Sequence, residues 1–161
     1  EIVITKDGAF AKNHNATILK SKGELIKLMQ MDDYFAHSNA LQEIVDNFKG
    51  EWMITACLHD DEGKIGNLHY PVWTDDIITG NNRLGGISTL TIRNETKMLF
   101  EEPLTWVVDC DLYKRYHYKY GSPTILNNPN VVIDVRNDRL SSTLSDELKQ
   151  KEIDYLMKKY E

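Results

Sequence analysis

The order of apolar runs and amphipathic segments in this chain predicts a mixed α/β fold. Three observations carry that prediction. Apolar, often β-branched runs of strand length recur at 2–5, 24–29, 51–58, 88–93 and 130–135. Segments with apolar residues at helical spacing lie between them. Glycine and Asp-Gly breaks separate the two kinds. With 161 residues and no repeat, linker or low-complexity stretch, the expectation is a single domain over 1–161.

The elements follow in order. Ile2 to Thr5 reads as a strand, and Asp7-Gly8 as a turn. Residues 11–21 form a short helix with Ile18 and Leu19 as its contacts, stopped by Gly23. Residues 24–29 read as a buried strand. Leu41, Ile44, Val45 and Phe48 have helical spacing within 36–48, and Gly50 closes that helix. Residues 51–58 are a strand, and the polar, glycine-bearing 59–70 a loop or hairpin. Residues 88–93 alternate as a strand does. Residues 105–120 are helical, with Trp106, Val107, Cys110, Tyr113 and Tyr116 on one broad face. Residues 130–135 are the last strand. Ser145 is placed to N-cap a final helix, with Asp146 and Glu147 in its first turn and Lys158 and Lys159 in its last.

Charge and composition exclude several classes. The net charge of −6, with no Lys/Arg stripe, argues against a nucleic-acid partner. No apolar run reaches 18 residues, and no secretory signal is present. Cys57 and Cys110 are far apart, flanked by apolar residues, and read as buried packing in a reduced chain. A cytoplasmic or membrane-peripheral placement is expected. The first residue is Glu1, with no initiator Met, so a fragment, a processed product or a trimmed chain is expected.

Three segments could carry chemistry. In 28–35, Asp32 and Asp33 follow directly on a buried strand, where ligands gather in open α/β sheets. Adjacent carboxylates repel unless a cation lies near, and a hard divalent ion suits them. Spacing alone favours the simpler reading, an Asp cap for the next helix. In 105–116, Asp109 and Asp111 sit among large apolar residues at a helix start. Burial would lift Asp109 toward the range of a general base, whereas both acids could simply face the helix dipole. In 78–86, glycines, Asn81, Asn82 and an arginine make a loop whose donors could meet a sugar or phosphate, without P-loop or GxGxxG spacing. The histidines lack zinc spacing, 59–63 lacks the EF-hand pattern, and no GxSxG occurs.

In this order the three segments resemble the nucleotide-sugar glycosyltransferases of family 2, with the GT-A fold. His14-Asn15 stands where Arg-Asn is usual, Ser21-Lys22-Gly23 where Ala-x-Gly is usual, and Gln30-Met31-Asp32-Asp33 where Asp-x-Asp-Asp is usual. Residues 100–106 resemble the family approach to the base helix, and 107–116 that helix, with Val108 in place of a Glu. Gly80-Asn81-Asn82 resembles the family's Gly-Asn-Asn loop. The stretch 1–10 superficially resembles the family's second strand, which would make Asp7 the base-binding acid. The step from Asn15 to Gly23 instead places Asp7-Gly8 on the turn after the third strand.

The resemblance implies a GT-A-like (Rossmann-like) α/β mixed sheet flanked by helices, lacking the first two βα units. It implies an inverting transfer from a nucleotide-diphosphate sugar to a glycan, lipid-linked or protein acceptor. It assigns Asn15, Gln30, Asp32 and Asp33 to the donor, and Asp32 and Asp33 to Mn²⁺ or Mg²⁺. Asp109 becomes the catalytic base, and Asn81, Asn82, Trp106 and Asp111 the acceptor side and loop. An incomplete sheet edge favours self-association, so a homo-oligomer is among the expectations. A non-catalytic remnant that only binds stays open beside this reading. A nucleotidyltransferase-like enzyme would need a basic phosphate loop, which the sequence does not show.

Overall fold

The computed structural model describes residues 1–6, 8–135 and 140–161. Its elements are α1 (Phe10–Lys20), β1 (Leu25–Lys27), β2 (Tyr34–Phe35), α2 (Ala40–Asn47), β3 (Trp52–Asp61), β4 (Lys64–His69), β5 (Leu90–Arg93), α3 (Val108–Tyr120), β6 (Thr124–Asp134), α4 (Leu140–Thr143) and α5 (Asp146–Lys159). They build one mixed sheet in the order β1-β5-β3-β6-β2, with β4 also paired to β3. Only β3 and β6 run parallel; the other described pairs are antiparallel. β3 is central because Trp52 to Cys57 are all buried, as a strand covered on both faces requires.

The helices follow their apolar faces. Ala11, Asn15 and Ile18 are the buried residues of α1, spaced four and three apart on one face. In α2, Ala40 and Ile44 are buried, while Leu41 and Val45 face solvent. The helix begins at Ala40 rather than at 36, which turns only part of the expected stripe inward. Trp52 packs between Tyr113 and Tyr116 of α3, with ring centroids at 6.0 and 5.6 Å. Its indole Nε1 donates to Gly121 O at 3.0 Å, closing α3 onto β3. Both cysteines are buried free thiols, and burial pushes Cys57 up to about 11. Among the described residues, no helix is long and apolar enough to cross a membrane.

Two expectations are corrected, and the choice between loop and hairpin at 59–70 is decided. Ile2 to Thr5 forms no strand: Ile2 and Ile4 are 90% and 81% exposed, and no described strand takes up their backbone. The segment is tied instead by the Thr5 hydroxyl, which donates to Asn13 O at 2.9 Å. The last strand is longer than 130–135, starting at Thr124. Pro129 lies within the longer strand, where its β3 partner shows register shifts between Thr55 and Cys57. Residues 59–70 resolve as the β3–β4 hairpin. Asp7 lies outside the described residues.

α5 closes the fold. Ser145 Oγ accepts from Leu148 N at 3.3 Å, the expected N-cap. Glu152, 5% exposed, reaches the turn that leads into α3. It accepts from Thr105 N and Trp106 N at 2.8 Å and from Val107 N at 3.1 Å. A carboxylate there meets the positive end of α3 and satisfies donors that α3 cannot. Glu152→Ala should destabilise the chain by roughly 2–4 kcal/mol, because those donors lose a charged acceptor inside the fold. Urea unfolding measures this, and Glu152→Gln should fall between parent and Ala.

Candidate active site

A cleft of about 600 Å³ opens where the end of β1, the end of β6, the 80–87 loop and the start of α3 converge. That volume suits a small-molecule site. Its wall includes Gln30, Asp32, Asp33, Asn82, Trp106 and Asp109.

The carboxylate end is built by a tight turn after β1. Asp33 N donates to Gln30 O at 3.3 Å, and Gln30 N donates to Ser88 Oγ at 2.8 Å. The turn leaves Asp32 exposed and Asp33 buried. Neither caps a helix, since α2 begins at Ala40 with Asn39 before it. Asp33 Oδ1 accepts from Asp134 N at 3.0 Å. Asp33 Oδ2 is buried and has no hydrogen-bond partner among the described residues. Burial pushes the Asp33 carboxyl above the usual carboxylate range. Beneath lies the enclosed amine of Lys27, which donates to Leu28 O at 3.1 Å, to Leu90 O at 3.4 Å and to Ser88 O. Burial lowers its pKa to about 7, against the opposing pull of the Asp33 charge.

The Asp109 end is set by the first turn of α3. Asp109 Oδ1 accepts from Cys110 N and Oδ2 from Asn82 Nδ2, both at 2.8 Å. Desolvation raises the Asp109 carboxyl, and these donors pull it back down. Trp106 closes the wall over Gly80. At φ +86°, a Cβ on Gly80 would stand 2.6 Å from Trp106 Cη2, so only glycine lets the ring lie there.

Three predicted site residues lie off this wall. Asn15 Nδ2 donates to Phe100 O at 2.9 Å and its Oδ1 accepts from Phe100 N at 2.7 Å, so its amide bridges α1 to the 100-loop. Asn81 Nδ2 donates to Asp76 Oδ2 at 2.8 Å on the exposed loop. Asp111 is fully buried among Arg115, Lys159 and Tyr160, which bond it at 2.8, 2.7 and 2.7 Å. Those partners hold its carboxyl below the usual range against desolvation.

The cleft also contains residues the sequence did not single out: His59, His69 and Asp134. Hairpin pairing of Cys57 with His69 brings the two imidazoles to a 6.1 Å centroid separation. The signal available was the alternation of 57–59 against 66–69, which becomes informative only once the hairpin register is known. Among the described residues, no group of three His, Cys, Asp or Glu side chains forms a metal cage.

No protein-family model matches the chain, and no curated protein sequence matches it. Solved structures do. The chain superposes on S. aureus TarS 1–349 in complex with UDP with a TM-score of 0.57 and 14% identity, covering 96% of this chain and 52% of that one. Against TarS in complex with UDP-GlcNAc the TM-score is 0.58 and the identity 11%, covering 96% and 48%. The chain shares the fold of these TarS structures. It spans about half the length of the TarS chains it matches.

On the cleft wall the Trp106 ring lies directly against Gly80. Gly80→Ala should displace the Trp106 ring and lower stability by about 1–3 kcal/mol, since it adds both a strained φ and an overpacked contact. A shifted tryptophan emission together with a lower melting midpoint checks this. An unchanged spectrum would show that the ring is not held there.

Proposed function

We propose that this chain carries the cation-binding and base-bearing part of an inverting glycosyltransferase, moving a sugar from a nucleotide-diphosphate donor to an acceptor hydroxyl. The observation that supports this reading is the convergence on one cleft of Asp33, with its unpartnered oxygen, and Asp109, held in a desolvated setting. The glycosyltransferase fold, and the UDP and UDP-GlcNAc bound to its structural neighbours, support a nucleotide-sugar donor.

The residues fit a hard divalent cation, Mn²⁺ or Mg²⁺. Asp33 Oδ2 lacks a partner, and Asp32 stands exposed beside it. Mg²⁺ commonly takes one or two carboxylates and completes its shell with water and substrate phosphates, so a full protein cage is not required. When bound, the cation would neutralise the charge that develops on the departing nucleoside diphosphate. Asp32 and Asp33 would hold it. Gln30, fixed by Ser88, takes the place of a third acid and offers an amide to the donor. Asp109 accepts the proton of the acceptor hydroxyl as that oxygen attacks the anomeric carbon. Burial suits that task by raising its basicity toward working pH. Trp106 offers an aromatic face to a sugar ring. The acceptor is a glycan, a lipid-linked saccharide or a protein hydroxyl.

A second reading, a non-catalytic remnant that serves as a binding or structural module, is favoured by one observation. β1 ends the sheet with no described strand on its outer edge.

Asp109→Asn should cut sugar transfer by about 10²–10⁴-fold, the usual share of a general base, and leave donor affinity unchanged. Full turnover in that variant would remove Asp109 from the chemistry. Asp33→Ala should abolish the Mn²⁺-dependent heat of UDP binding in calorimetry. An identical titration in parent and variant would place the cation elsewhere.

A further inference from the structure

The geometry points to Asn82 as a positioning residue for Asp109: a loop side chain that fixes the orientation of the base through a hydrogen bond, rather than one that touches the sugar. This inference rests on the reading of Asp109 as the base.

The Asn82 amide makes four bonds. Its Oδ1 accepts from Leu84 N at 3.0 Å and from Gly85 N at 3.2 Å. Its Nδ2 donates to Gly85 O at 2.9 Å and to Asp109 Oδ2 at 2.8 Å. The backbone donors on one side and the backbone acceptor on the other determine which end is oxygen and which is nitrogen, so the amide cannot be turned around without losing the loop's own bonds. Only an N–H can therefore face Asp109. Its other carboxylate oxygen accepts from Cys110 N at 2.8 Å. A second anchor holds the same loop, because Tyr113 Oη donates to Gly85 O and Gly86 O at 3.3 Å. Asn82 thus joins the 80–86 loop to the base through one hydrogen bond, and disordering the loop would release the base.

A donor to the ionised form lowers a carboxyl pKa, so removing it must raise that pKa. Asn82→Asp keeps the acceptor for Leu84 N and Gly85 N but sets a carboxylate against Asp109. Asn82→Ala removes the contact without adding charge. The test is a carbon-13 carboxyl titration of the full chain by NMR, with the Asp109 signal assigned from Asp109→Asn. In Asn82→Ala its midpoint should rise by about one unit. In Asn82→Asp the coupled pair should show one midpoint above the parent value by more than that. Melting midpoints recorded alongside confirm that each variant is folded. An Asp109 midpoint unchanged in either folded variant overturns the assignment and leaves Asn82 a loop-forming residue only. The titration needs no turnover, so it fails independently of the base reading, which Asp109→Asn kinetics test.

Discussion

The turn into α3 turns three backbone N–H groups toward a carboxylate that arrives from 45 to 47 residues further along the chain. No local side chain caps that helix, because Val107 occupies the capping position. Glu152 supplies the missing acceptor from α5, and in doing so it fixes Trp106, Val107 and the first turn that carries Asp109. The far end of α5 is fixed by the same helix. Lys159 Nζ and Tyr160 Oη both donate to Asp111 Oδ1, while Arg115 donates to Oδ2. A fully buried carboxylate is tolerable only when paired and hydrogen-bonded in this way. Two buried acids, one on each helix, therefore bind α3 and α5 into a unit. Asp111 serves that unit and not the cleft.

The opposite wall depends on the sheet. β3 and β6 run parallel through Asp60 and Asp134, which carries the end of β6 to the turn after β1. There Asp134 N takes one oxygen of Asp33 and leaves the other without a partner. Lys27 sits behind with its amine enclosed and shared among three carbonyls, and burial lowers its pKa to about 7. The two acids of the cleft are thus raised by the same cause, desolvation, but meet different neighbours. Asp109 is surrounded by donors that favour ionisation. Asp33 is left with an unmet acceptor, which a cation would satisfy.

Much of this was legible in the residues themselves. The central strand at 51–58, the Ser145 cap and the Cys110, Tyr113 and Tyr116 face of α3 followed from periodicity and capping chemistry, whereas α1 ends at Lys20 with Ser21 as its cap rather than at Gly23. Gln30, Asp32, Asp33, Asn82, Trp106 and Asp109 were named from sequence and share one wall. Asn15, Asn81 and Asp111 were named beside them and lie off it. Nothing in a one-dimensional pattern says which acid of an Asp-x-Asp pair points into a cleft and which into a neighbouring helix. That choice rests on rotation about the α3 axis, which α5 fixes.

The sequence by itself determined the fold class, the order of elements and the kinds of residue at the carboxyl ends of the strands, because periodicity and end-capping are local physics. It could not place Ile2 to Thr5, whose strand pattern has no described partner to pair with. It could not supply Glu152 as a cap, His59 beside His69, or Asp134 behind Asp33. Each of those contacts joins segments far apart in the chain, and only packing decides which distant groups meet. The tertiary structure decided the site itself: one acid with an unmet oxygen, another held by Asn82, and a cleft between them.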